Sequence, residues 1–448
     1  MNGLRIELRR STALWAGLLV LVSSTGMLLL TAAGTSWQGN STSAVLELRP
    51  PLAYVWALVV GLAVLQGMRD GRSGVTELFS STSRPGWVRL GTLASAVAGV
   101  VAVATGLLCV GLVAVVAISG GFVSIGFVPL MVTVVLALAS SVMLGIAVGR
   151  LLPHPLTVPV ALVSTFVLAT AAGQELEVQS PDAEVSRLAL LAPVLDPPGT
   201  DLVTTSTSVD IGQIVWFTGL GVTAFLLLVS RFPGARLAAL LPAGLAAVLA
   251  LTILPNKISD VLVTDSIAGE LVCDGPVCLS RAHEDRLPAV AAVGKEVLAK
   301  LAVLPDAPTE VREDTSAMAH LAAPQRNGKI VYLRSQGAAG VLTMSPEQQR
   351  IELLAGAGVA GCSTPNTFDI SESVVLHLTA GYFNNGLAAL PSEPLMWSSD
   401  RLRGEIETAW RALRAQPAPE QLNRVTRARQ MLLACNDSEG VLDVLTAA

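Results

Sequence analysis

The side chains able to do chemistry are few and scattered along 448 residues. The four histidines are His154, His283, His320 and His377. His283-Glu284-Asp285 is the densest polar cluster, and with His320 or His377 it has the side-chain types of a metal site. Acids at a helix start explain Glu284 and Asp285 equally well. Neither HExxH nor GxSxG occurs, so a zinc-protease helix and a nucleophile elbow are both missing. No GxxxxGK[ST] loop occurs either: Gly294-Lys295 and Gly328-Lys329 are followed by Glu and Ile. The sequence therefore offers no catalytic residue, no cofactor-binding residue and no metal ligand set.

Composition says where such a chain resides. Hydrophobic residues make up 52% and charged residues 14%, with mean hydropathy +0.61. Soluble domains carry about 25% charged residues, so much of this chain belongs in a bilayer. The formal net charge of −5 and the lack of a basic, aromatic-laced patch argue against nucleic acid as a partner.

Seven apolar runs are near the length that spans a membrane: Thr12–Ala33, Leu52–Met68, Leu90–Ile118, Phe127–Gly149, Leu156–Gly173, Ile211–Ser230 and Leu237–Leu254. The second, fifth and seventh are short. The first follows MNGLRIELRR and resembles a signal peptide, but it is long for one and reads as a retained helix. None of the seven contains Asp, Glu, Lys, Arg or His; only Gln66 and Gln213 stand near their ends. Ion-driven carriers usually keep ionisable groups at bilayer depth, so that mode of energy coupling is disfavoured.

Arginine distribution orients the spans. With the N-terminus in the cytoplasm, inner segments hold Arg5, Arg9, Arg10, Arg69, Arg72, Arg84, Arg89, Arg150, Arg231 and Arg236, while outer loops before residue 255 hold only Arg49 and Arg187. Seven spans then divide the chain into a transmembrane domain, 1–254, and an extracytoplasmic domain, 255–448. The expected fold class is an α-helical polytopic membrane protein with about six or seven transmembrane helices, followed by a mostly helical α+β outer domain. In that compartment disulfides are permitted. Cys273 and Cys278 flank the turn-forming Asp274-Gly275-Pro276-Val277, which predicts a pair and leaves Cys362 with Cys435. Free thiols or a metal site are the alternative. Cys109, inside an apolar run, is a small packing residue.

Helical patterns cover Glu284–Leu304, Ser345–Ala355, Ser371–Phe383, Leu402–Ala415 and Pro419–Cys435, and Lys329–Arg334 reads as a strand. In the acidic outer loop Gln174–Asp210, the stretch Pro181–Leu195 either forms a short helix with Val185, Leu188, Leu191, Val194 and Leu195 on one side or is a solvated loop with one buried turn.

The segment between the second and third spans is the most informative. Met68–Leu90 is broken by Gly71, Gly74 and Pro85-Gly86, and Val75–Ser81 has room for two helical turns with Glu77 near their start. A span, an arginine-rich turn, Glu77-Leu78, Ser83-Arg84-Pro85, then Trp87-Val88-Arg89-Leu90 into a long helix resembles the membrane subunits of ABC-2 type transporters. The resemblance covers roughly residues 1–235. It implies that the 69–89 loop seats on a separate ATP-binding subunit, with Arg72, Glu77, Leu78, Arg84 and Pro85 at matching positions. It also implies an exporting permease that works as a homodimer or heterodimer among membrane lipids. The extra span and the outer domain depart from that pattern and look like fusions in high-GC Gram-positive bacteria. Ser95-x-x-x-Gly99 and Gly106…Gly111 give the third span small residues for close helix approach, within the bundle or across a dimer. The competing expectation is a membrane-anchored sensor or envelope-assembly protein acting through its outer domain.

Overall fold

The computed structural model describes residues 13–31, 39–72, 86–176, 183–196, 201–230, 232–317, 324–334, 340–363, 369–435 and 439–446. The chain divides into two compact units: 1–198 with 203–263, and 199–202 with 264–448. The boundary expected at 254/255 thus falls near 263/264, and a short upstream segment joins the second unit.

The first unit is a helical bundle. Its elements are α1 (Ala13–Thr31), α2 (Ser41–Leu46), α3 (Leu52–Arg72), α4 (Gly86–Ile118), α5 (Phe127–Leu151) and α6 (Thr157–Glu175), followed by strand β1 (Val203–Thr205). Then come α7 (Thr207–Val229), α8 (Pro233–Ala238), α9 (Leu241–Ile253), α10 (Ile258–Val261) and strand β2 (Leu262–Thr264), which pairs with β1. Among the described residues, six stretches are long and apolar enough to cross a membrane, the last being 233–253 across α8 and α9. Within α1, Leu14–Leu30 is apolar but shorter. This is a polytopic helical membrane architecture. At 1.5 Å per residue the 33-residue α4 is about 50 Å long, well beyond a hydrocarbon core of about 30 Å.

Small residues set the closest approach in the bundle, but not those the sequence singles out. Gly99, Gly106 and Gly111 of α4 face open space. The tight crossing is between α3 and α5: a Cβ on Gly67 would lie 2.2 Å from the Ile146 carbonyl oxygen, and one on Gly149 would lie 2.1 Å from that of Val64. Side chains larger than hydrogen do not fit there, and Ala63 against Gly145 continues the seam.

Loop contacts sort into two ends of the bundle. At one end Ser41 N–H donates to Phe122 O, Val185 N–H to Asn256 O and Ile258 N–H to Ala183 O. At the other, Arg150 Nη1 donates to Leu228 O at 3.2 Å. In these contacts, segments that the arginine count assigns to the same side meet each other.

The second unit is α+β. A four-stranded sheet has the order β3 (Leu271–Asp274), β4 (Val277–Ser280), β5 (Glu310–Glu313), β6 (Ile330–Leu333). β3 and β4 form an antiparallel hairpin around positive-φ Gly275, while β4, β5 and β6 run parallel. A parallel pair needs a crossover, and α11 (Leu287–Leu301) supplies it between β4 and β5. Its apolar face, Val290, Val293, Val297 and Leu301, is buried against Val277, Val311 and Val331. α12 (Pro346–Leu354), α13 (Ile370–Asn384), α14 (Pro394–Ser398), α15 (Asp400–Arg414), α16 (Ala418–Ala434) and α17 (Glu439–Thr446) complete the core. α12 starts where Pro346 predicts, with a capping box between Ser345 and Gln348.

Of the two readings open for 181–195, the helix is overturned. The stretch 183–195 forms no helix beyond the 3₁₀ turn Ala189–Leu191. Pro193 has no N–H for a helix, and Val185 N–H and Ala183 O bond instead to Asn256 O and Ile258 N–H. It is nearer the loop with one buried turn: Leu190, Val194 and Leu195 are buried, while Glu184 and Leu188 are exposed. The strand expected at 329–334 is present, but the other three of the sheet were not anticipated.

Candidate functional site

A large cavity lies in the membrane unit, with a volume of about 1040 Å³. Trp15, Leu18, Leu19 and Val22 of α1 form one wall and Leu58, Leu62, Leu65, Gln66 and Arg69 of α3 the other, with Val97 and Val101 of α4 and Val142 of α5 behind them. Along α3 the lining positions 58, 62, 65, 66 and 69 recur at helical spacing and fall on one face. The lining is mostly apolar, with Ser23 hydrogen-bonded to Leu19 O on α1, and its charged end is where Gln66 and Arg69 stand. The segment that follows Arg72 joins α3 to α4, so the loop singled out in the sequence directly tethers two helices bordering this groove. Glu77, Leu78, Arg84 and Pro85 lie outside the described residues, as does the two-turn helix expected at Val75–Ser81. Arg72 is the last residue of α3.

A second polar feature was not anticipated. Arg49, between α2 and α3, is fully buried. Its Nη1 donates to Gln213 Oε1 at 2.8 Å, and its Nη2 lies 3.7 Å from Asp210 Oδ1. Asp210 Oδ1 also accepts from Thr205 Oγ1 at 2.7 Å, and Gln213 Nε2 donates to the Leu190 and Ala192 carbonyls. The sequence places Asp210 in a loop, whereas it occupies the first turn of α7, where an acid is favoured by the helix dipole. The available signal was charge bias: Arg49 and Arg187 are the two arginines on the side where arginine is scarce. Both are used internally, Arg187 Nη1 donating to Leu251 O at 3.2 Å.

In the second unit the histidines separate. His283 is buried; its Nδ1 lies 2.8 Å from Glu313 Oε1 and 3.0 Å from Ser280 Oγ, and its Nε2 lies 3.6 Å from Asp201 Oδ2. Burial alone would lower its pKa, but hydrogen bonds to Asp201 and Glu313 and their charges push it up to about 9. Ser, His and acid meet here, yet the serine and Glu313 share one ring nitrogen, and Ser280 and the Glu313 side chain are buried. That geometry is a clasp and not a nucleophile relay. The clasp holds β4 to β5 and reaches the 199–202 segment, which continues through β1 into α7.

His377 is a satisfied core histidine. Its Nδ1 donates to Ser373 O at 2.8 Å, its Nε2 accepts from Leu390 N–H, and it stacks on Trp397. Burial lowers its pKa. Glu393 beside it is pushed up to about 7 by burial and by the charges of Glu352 and Glu372. His320 lies outside the described residues, and among the described residues no group of three His, Cys, Asp or Glu side chains is placed to hold a metal ion. Cys273–Cys278 and Cys362–Cys435 stand at bonding distance, with S–S 2.09 and 2.06 Å, in the pairing expected. Cys109 is a buried free thiol.

The His283 clasp has a definite pH signature. The raised pKa means its contribution is fully present below about 6.5 and is lost as pH rises through about 9. The unfolding midpoint of the second unit is expected to fall between about pH 6.5 and 9 by roughly the equivalent of 1–3 kcal/mol, and His283→Gln is expected to flatten that dependence. A thermal-melt series across pH checks it.

No family model, no curated protein and no solved structure matches the chain.

Proposed function

We propose that the chain is the membrane-spanning subunit of an ABC-2-like transporter, an exporter, driven by a separate ATP-binding subunit docked on residues 69–89. One observation carries the reading: the arginine-rich segment after α3 is the direct tether between α3 and α4, and both border the large groove. A push on that segment moves two groove walls at once. The lack of a phosphate-cradling loop in this chain assigns hydrolysis to a partner. The arginine bias supports a cytoplasmic position for the tether and an extracytoplasmic one for the disulfide-bonded unit.

The second unit is then a receiving or gating element, linked through Asp201 and β1 to the start of α7. The same clasp also favours a sensor reading, in which the outer unit signals along α7 without transport.

The experiment is a mild-detergent pull-down. The intact chain is expected to retain a nucleotide-binding ATPase, and Glu77→Lys to reduce that retention at least about tenfold, the effect of about 1.4 kcal/mol at a docking surface. Retention unchanged by Glu77→Lys, or no ATPase at all, overturns the proposal.

A further inference from the structure

We propose that the groove of the membrane unit binds a glycerophospholipid with an anionic headgroup, its acyl chains along α3 and its phosphate at the Arg69 end. The length fits first. From Leu58 to Arg69 is 11 residues of helix, about 16 Å, and one leaflet of the hydrocarbon core is about 15 Å. The groove therefore runs from headgroup depth to the midplane, the extent of one lipid.

The chemistry changes along it in the same order. Leu58, Leu62 and Leu65, with Leu18 and Val22 opposite, offer only hydrocarbon, and all five are large and exposed. Gln66 and Arg69 close one end. Juxtamembrane basic residues attract anionic lipids by about 1 kcal/mol each. The volume of about 1040 Å³ is at the upper end of small-molecule sites, roughly 300–1,000 Å³, which suits two chains and not one. The inference rests on the transporter reading only for the fate of the lipid as cargo; occupancy of the groove does not need the ATPase.

The test uses the full chain in nanodiscs of phosphatidylcholine with a minority of phosphatidylglycerol, extracted into mild detergent, with retained lipid counted by native mass spectrometry. Phosphatidylglycerol is expected to be enriched about fivefold over its share. Arg69→Gln is expected to bring the retained mixture to the nanodisc composition. Leu62→Trp, which fills the groove, is expected to lose both lipids, while Leu168→Trp on the exposed face of α6 keeps them. Wild-type lipid at nanodisc composition, detergent alone in the groove, or full retention by Leu62→Trp overturns the proposal. If Leu62→Trp does not fold, the Arg69→Gln comparison decides. Lipid retention without a bound ATPase leaves this site standing and overturns the transporter reading; a bound ATPase with no lipid does the reverse.

Discussion

Asp210→Ala is expected to destabilise the membrane unit by about 3–5 kcal/mol, because it strands a fully buried guanidinium. Arg49 has no route to solvent, and its hydrogen bond to Gln213 does not neutralise it. The penalty comes mainly from the uncompensated charge and much less from the lost attraction. It follows that Arg49→Met combined with Asp210→Leu recovers most of the loss, since a buried ion pair replaced by apolar groups of similar volume is often neutral. Unfolding midpoints of the two single variants and the double variant, followed in detergent, check this. A double variant as unstable as the sum of the singles would show that the pair does not act as a unit.

This cluster marks where sequence reading ended. Span-length apolar runs are legible because a bilayer demands about 20 apolar residues in succession, and that demand is local. What joins Arg49 to Asp210 and Gln213 is tertiary: the segment between α2 and α3 meets the first turns of α7 from 164 residues away, and the turn Ala189–Leu191 closes on them from 23. Each residue alone read as a loop charge or a polar span end. The failed helix at 183–195 has the opposite cause. Its apolar spacing fits a helix, but the backbone found partners at 256–258 that the pattern does not contain. In the second unit, helices announced themselves through their apolar patterns, and Ser345 and Asp369 cap two of them. Strands of four residues, three of them parallel, left almost no period to read. The disulfide pairing was legible because the Asp274-Gly275-Pro276 turn fixed one pair and left the other by subtraction. The groove was not legible: its lining residues are ordinary span residues, and only assembly of α1, α3, α4 and α5 sets them around one space.

Cys362→Ser is expected to cost the second unit about 4 kcal/mol. The bond to Cys435 closes a loop of 73 residues, and loop-closure entropy for that length gives a figure of that order in the chain-entropy model. The cross-link has a further local duty. Cys435 caps α16 with φ 47°, a left-handed conformation unfavourable for a non-glycine residue, and its N–H bonds back to Met431 O. The bond ties this cap to the strand-like stretch after the Ala355–Ala357 turn, where Arg429 also donates to the Ala357, Asp306 and Gly328 carbonyls. Losing the bond is therefore expected to fray α16 first and α13 next. Amide hydrogen exchange resolves the order: protection in 418–434 is expected to fall before that in 370–384. The five-residue separation of Cys273 and Cys278 implies a smaller effect, about 2 kcal/mol.

The transporter account stands on one surface. A photo-crosslinking residue placed at Thr76, beside Glu77, tests it in intact cells. The account predicts a covalent adduct with a nucleotide-binding ATPase, identified by mass spectrometry and lost when Glu77→Lys is introduced. Adducts only with lipid, or with proteins from the extracytoplasmic side, would contradict it.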